Sequence, residues 1–225
     1  MTDEQAALAS FHGSARLFPL PNLVLFPHVD QALHIFEHRY RQMTADALAT
    51  DRLIAPVLLQ PGWDKDYDGA PPIETVACVA RIVQHERMID GRYNLHVRGL
   101  ARFAIDAEVG DGDKLYRLAN GRLLPSAAPA NPQVLARLRE ELRGVVLTRF
   151  DPNGLAFAQV AALFASDSPL DRLCDQLGYS LPLALPLKQK LLAEPDAAVR
   201  AELMVSTLRL PAAAGRGFPP QFSPN

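Results

Sequence analysis

Cys78 and Cys174 are the only cysteines in this 225-residue chain, so no disulfide framework can hold it together. Both sit among apolar neighbours and read as buried free thiols. Long hydrophobic runs are missing. The longest, such as 181–187, falls far short of the ~20 residues that span a bilayer, so no membrane helix is expected. Neither sign of charge dominates. Residues 1–125 hold thirteen basic and sixteen acidic side chains, and 126–225 hold ten and nine. Phosphate binding draws on a basic excess, so this balance argues against a nucleic-acid partner.

The signatures of covalent chemistry are absent as well. There is no G-x-x-x-x-G-K-[ST] phosphate loop, no G-x-S-x-G elbow and no C-x-x-C pair. Gly110-Asp111-Gly112-Asp113-Lys114 is a turn of the wrong spacing, with two repelling carboxylates. The expectation is a non-enzymatic protein without a cofactor. Met1-Thr2-Asp3-Glu4 lacks the basic-then-apolar start of a secretory signal, which makes the cytoplasm the expected compartment.

What is present divides into two periods. Residues 16–20, 23–26, 32–36 and 53–59 are short apolar runs punctuated by Pro19, Pro21 and Pro27, as strands are. Between them, Tyr40, Met43, Ala47 and Leu48 have helical spacing. Val- and Ile-rich 73–87 meets the turn pair Asp90-Gly91. Beyond it Tyr93, Leu95 and Val97 alternate with polar residues, a hairpin pattern. Residues 100–109 and 115–124 complete about six strands, which predicts a small β-barrel or folded sheet over 14–125.

After the Pro/Ala-rich connector 125–132 the period becomes helical. Asn131 caps a helix with Pro132 in its first turn and a stripe of Val134, Leu135, Leu138, Leu142 and Val145. Residues 154–165 form a second. Ser168, Pro169 and Asp171 start a third, with Leu170, Leu173 and Leu177 inward and Gly178 as its stop. Short helices over about 186–193 and from Asp196, the last with Val199, Leu203 and Leu208 inward, complete a helical bundle domain over 131–210. Residues 211–225 read as a flexible tail.

Three motifs invite sharper readings. His34-Ile35-Phe36-Glu37-His38 matches H-x-x-E-H, in which two histidines hold zinc and the glutamate acts as general base of a hydrolase. Its first residues look like a strand end, which would keep His34 and His38 off a common helix face, so metal is not expected. Asp64 to Gly69 resembles half of a calcium loop, but position 12 is Thr75 and prolines interrupt it. Trp63, the only tryptophan, shares that loop with Tyr67, and the two are the candidate partner-binding residues. An RNA-binding alternative would use Arg92, Arg98 and Arg102 on one strand face with His96 between them.

Several segments in order resemble the N-terminal, substrate-binding domain of Lon-type ATP-dependent proteases, in its free-standing bacterial form. They are 17–27 (LFPLPNLVLFP), 33–43 (LHIFEHRYRQM), Gln60-Pro61-Gly62-Trp63 with Asp66-Tyr67, 76–82, the Asp90-Gly91 hairpin with 99–103, and 188–192 with Asp196 and Arg200. Ala77 and Ala80 stand where that family often has glycine. The resemblance implies an α+β chain, a PUA-like β-domain followed by a helical bundle. It also implies a module that binds polypeptide segments or a partner protein, without ATPase or protease domains.

Overall fold

The computed structural model describes residues 7–9, 11–66, 69–110, 112–127 and 131–210; the tail expected at 211–225 lies outside the described residues. The chain forms two compact units, one of residues 1–125 with 185–193, the other of 126–184 with 194–225.

The first unit is a mixed sheet: β1 (Ser14–Leu20), β2 (Asp30–Ile35), β3 (Leu53–Leu58), β4 (Val76–Arg87), β5 (Tyr93–Val109) and β6 (Leu118–Leu124). Helix α1 (His38–Ala49) follows β2. Strand order is β2-β5-β4-β3-β1-β6, and β6 pairs again with β5. Of the two forms expected, the sheet is folded back on itself, with β5 paired to β2, β4 and β6. Only β1 and β3 run parallel, with Leu17 opposite Ala55. Leu17, Ala55, Val79 and Phe103 lie at the centre of the core, and Phe11 meets Phe103 edge-on at 5.5 Å. Helix α1 buries Tyr40, Met43 and Ala47, the spacing expected of it, and Tyr40 stands edge-on to Phe18 at 4.7 Å.

The run 23–26 is not a strand. Val24, Leu25 and Phe26 are buried, but Pro21 and Pro27 remove donors and His28 turns the chain at φ 63°. Apolar residues in a row here fill a core without joining a ladder. Ala77 and Ala80 are fully buried within β4.

Helix α5 (Leu185–Ala193) belongs to this sheet unit, although it lies late in the chain. The Gln189 amide donates to the Val76 carbonyl at 2.8 Å, and Arg102 Nε donates to the Leu192 carbonyl at 2.8 Å. Arg102 thereby satisfies one of the carbonyls that a helix end leaves open.

The second unit holds α2 (Pro132–Leu147), α3 (Leu155–Ala165), α4 (Leu170–Ser180) and α6 (Ala197–Arg209). Asn131 caps α2 as its sequence predicts, accepting from Gln133 N at 2.9 Å. Helix α4 starts one residue later than Ser168 implies, with Pro169 at its cap and no side-chain cap bond. Gly178 does not stop α4 but is buried inside it, two residues before its end. In α6 the buried face is Arg200, Ala201, Met204 and Val205, while Val199 is exposed. The face is rotated from the apolar stripe because Arg200 goes inward. Its guanidinium lies 3.7 Å from buried Asp175 and donates to the carbonyls of Glu194 and Pro195 at 2.8 and 3.1 Å, and of Asp171 at 3.3 Å.

Candidate functional site

Two of the concavities among the described residues of the sheet unit differ in how their charge is used. The larger is an open cleft of about 450 Å³ lined by Arg16, Asp46, Thr50, Asp51, Lys114 and Tyr116, among others. Its cations are matched internally. Arg16 binds Asp51 at 2.7 Å and donates to Thr50 Oγ1 at 2.8 Å. Asp46 accepts from Lys114 Nζ at 2.9 Å and Tyr116 Oη at 2.8 Å. Burial pushes the Asp46 carboxyl up, but these two bonds outweigh it and hold the group below its usual range. The Tyr116 phenol is pushed up by burial and by its bond to Asp46.

The second hollow, about 310 Å³, lies between α1 and the β4–β5 hairpin and is lined by His38, Arg41, Gln42, Ala45, Arg87, Gly91 and Tyr93. The hairpin closes through a three-residue loop: Met88 N donates to Arg92 O at 2.8 Å and Gly91 N to Met88 O at 3.0 Å. Gly91 has φ 83°, the left-handed position this loop needs. A Cβ on Gly91 would stand 2.3 Å from Arg41 Nη2, so the glycine also makes room for that guanidinium. Arg87 lies over the Tyr93 ring at 5.9 Å.

Beside the hollow the sheet presents an edge. Among the described residues β2 pairs with β5 and with no other strand, Asp30 opposite Arg98 through Ile35 opposite Tyr93. Its outward row carries His34, which bonds Asn94 at 2.8 Å, and Asn94 in turn donates to Glu86 at 3.3 Å. Phe36, just past the strand, is 59% exposed and stacked with His34. At the same end of the sheet the hairpin loop exposes Met88 and leaves Ile89 fully exposed. Isolated exposed apolar residues are ordinary; here three lie at one sheet end beside an edge strand.

Trp63 sits half-buried on the 3₁₀ turn Trp63–Asp66, away from regular strands, and Tyr67 lies outside the described residues. The calcium-like loop is partly outside them too, and it runs between β3 and β4 rather than between helices.

His34, Glu37 and His38 straddle the turn from β2 into α1. Glu37 pairs with Arg39 at 2.9 Å and His34 with Asn94, and no three metal-capable side chains converge among the described residues. The arginine row of the RNA reading is dispersed. Val79 pairs with Ala101 and Ala80 with Gly99, which leaves Leu100 unpaired and turns Arg102 to the face opposite Arg98. Arg102 is then buried, while Arg98 binds Asp30 at 2.7 Å. Sequence reading missed the edge surface and the paired arginines Arg41 and Arg87; the only signal for them was the Asp90-Gly91 turn that brings strand and helix together.

Among solved structures, a Lon N-terminal domain protein from Xanthomonas campestris aligns over 86% of this chain and 97% of its own, with TM-score 0.62 and 22% identity. The N-terminal domain of Mycobacterium avium complex Lon protease aligns over 87% and 97%, with TM-score 0.68 and 17% identity. Both likenesses concern the fold. Among curated proteins, Lon protease 1 of Syntrophobacter fumaroxidans is 27% identical over 92% of the chain, and Lon protease of Escherichia coli 26% identical over 85%. The chain spans about a quarter of the length of these relatives, 25% and 24%. The family model described as the ATP-dependent protease La (LON) substrate-binding domain matches residues 14–209, and the chain belongs to that family.

Proposed function

We propose that this chain is a polypeptide-binding module of the cytoplasm that performs no covalent chemistry itself. It takes an extended segment of another protein along the open edge of β2, with Phe36, Met88 and Ile89 as apolar anchors. The observation that carries this is the coincidence of an edge strand paired on one side with exposed apolar groups at its end. Main-chain hydrogen bonds to an edge supply affinity without demanding a sequence, while side-chain anchors supply preference. Family membership supports the same reading, since its model is a substrate-binding domain. Trp63 and Tyr67 are further proposed contacts of the bound chain.

Fluorescence anisotropy of the full chain with labelled, reduced and carboxymethylated α-lactalbumin tests the proposal. Saturable binding is expected, weakened roughly tenfold by Ile89→Asp or Phe36→Asp, as anchor residues are. Binding that both substitutions leave unchanged, or no binding at all, refutes it.

A further inference from the structure

We infer that the hollow between α1 and the β4–β5 hairpin is a carboxylate-binding subsite, one that selects an acidic group on the polypeptide held at β2. The inference rests on the polypeptide-binding reading above for its occupant and on the geometry of the hollow for its chemistry.

Two guanidinium groups converge there from different elements, Arg41 from α1 and Arg87 from β4. Arg41 is half-buried against the bare Cα of Gly91, and the exposed Arg87 lies over the face of Tyr93 at 5.9 Å. Neither forms an ion pair with a carboxylate among the described residues. The acids near them are engaged elsewhere: Glu37 holds Arg39 at 2.9 Å, Asp90 holds Arg92 at 3.1 Å, and Glu86 accepts from Asn94 at 3.3 Å. This is the opposite of the larger cleft, where Arg16 and Lys114 meet carboxylates of their own. Two guanidinium forks that line one hollow and lack an anion form a receptor for one, and the planar pair of oxygens of a carboxylate fits them.

Position supplies the occupant. Ile35, Tyr93 and Arg87 form one cross-strand row, so the hollow opens at the end of β2, where a chain added to that edge leaves it. An acidic side chain or a terminal carboxylate of the bound segment reaches it there.

Short fluorescent peptides of alternating valine and threonine separate these sources. One has an amidated end and an internal glutamine, one an internal glutamate, and one a free terminal carboxylate. At low salt the better acidic peptide should bind the full chain about five- to tenfold more tightly than the neutral one. That preference should fade with added salt and disappear in Arg41→Gln and Arg87→Gln. Independently, titration with succinate should move the Nε–Hε resonances of Arg41 and Arg87 more than those of the other arginines. Equal binding of acidic and neutral peptides overturns the inference and leaves polypeptide binding standing. Failure of all three peptides removes the polypeptide reading. The hollow is then judged on succinate alone, whose failure to move those two resonances overturns it. A single-stranded RNA that binds through Arg41 and Arg87 and displaces the acidic peptide also overturns it.

Discussion

Arg200 in the helical unit and Arg41 in the sheet unit spend the same functional group in opposite ways. Arg200 is wholly buried, faces Asp175 and donates to three backbone carbonyls, those of Glu194, Pro195 and Asp171. Arg41 lies half-buried beside Gly91 and meets no carboxylate among the described residues. A guanidinium costs a great deal to desolvate, so one placed inside has its partners built around it. One kept at a rim and unmatched leaves its binding capacity for something outside. The contrast shows why a near-neutral total charge says little about recognition: balance across a chain is compatible with a local surplus.

The largest break in that comparison comes from the buried side. Arg200→Leu leaves the Asp175 carboxylate without its cation and should cost about 3–5 kcal/mol, read by urea denaturation. Adding Asp175→Leu should restore at least half of the loss, because the apolar pair removes the stranded charge. If the double variant is no better than the single, the guanidinium acts through its carbonyl bonds rather than through Asp175.

Next in size is a packing change. A Cβ at Gly99 would stand 2.0 Å from the Phe26 carbonyl oxygen and 3.1 Å from Cys78 Sγ. Neither backbone can retreat easily, since His28 N donates to Gly99 O at 2.8 Å and Gly99 N to Val29 O at 2.9 Å. Gly99→Ala should therefore cost about 3 kcal/mol, the upper part of the overpacking range, measured as a shift in urea midpoint at constant slope.

A smaller effect sharpens the charge argument with pH. Burial lowers the Lys188 ammonium on α5 to about 8, from 10.5. Between those values the unfolded chain binds the proton and the folded one does not, so stability should rise as pH goes from 8 to 10.5. Below pH 8 both states are charged and the burial cost is present in full, so Lys188→Met should stabilise at pH 7. Allowing for the lysine's partial exposure, the gain is about 1 kcal/mol, read by thermal unfolding across pH. A variant that unfolds with the wild-type pH profile contradicts this.

Much of the sheet was legible because period and punctuation agree there. Tyr93, Leu95 and Val97 alternate into the core as the sequence spacing requires, and Asp90-Gly91 marks the hairpin. Legibility stopped where tertiary contacts decide. The run 23–26 has strand composition but is cut off by prolines, and α6 turns a charged residue inward because Asp175 and three carbonyls await it. Helix α5 follows three helices in sequence yet joins the sheet unit through Gln189 and Arg102. The candidate site fared worse. Trp63 stood out by rarity, whereas Arg41 and Arg87 lie 46 positions apart and only the hairpin's fold-back onto α1 brings them together.

The smallest expected stability change is the most telling for the comparison. Arg41→Gln removes a charge that no carboxylate among the described residues neutralises, so no stranded partner is created. Unfolding free energy should stay within about 0.5 kcal/mol of the parent, as for surface changes away from networks. Arg200→Gln, the same change of side chain at the buried site, should lose several kcal/mol because Asp175 and the carbonyls stay behind. Equal costs at the two positions would mean that Arg41 is woven into the fold after all. A flat result at Arg41 joined to a changed preference for acidic peptides would place its contribution in binding and not in stability.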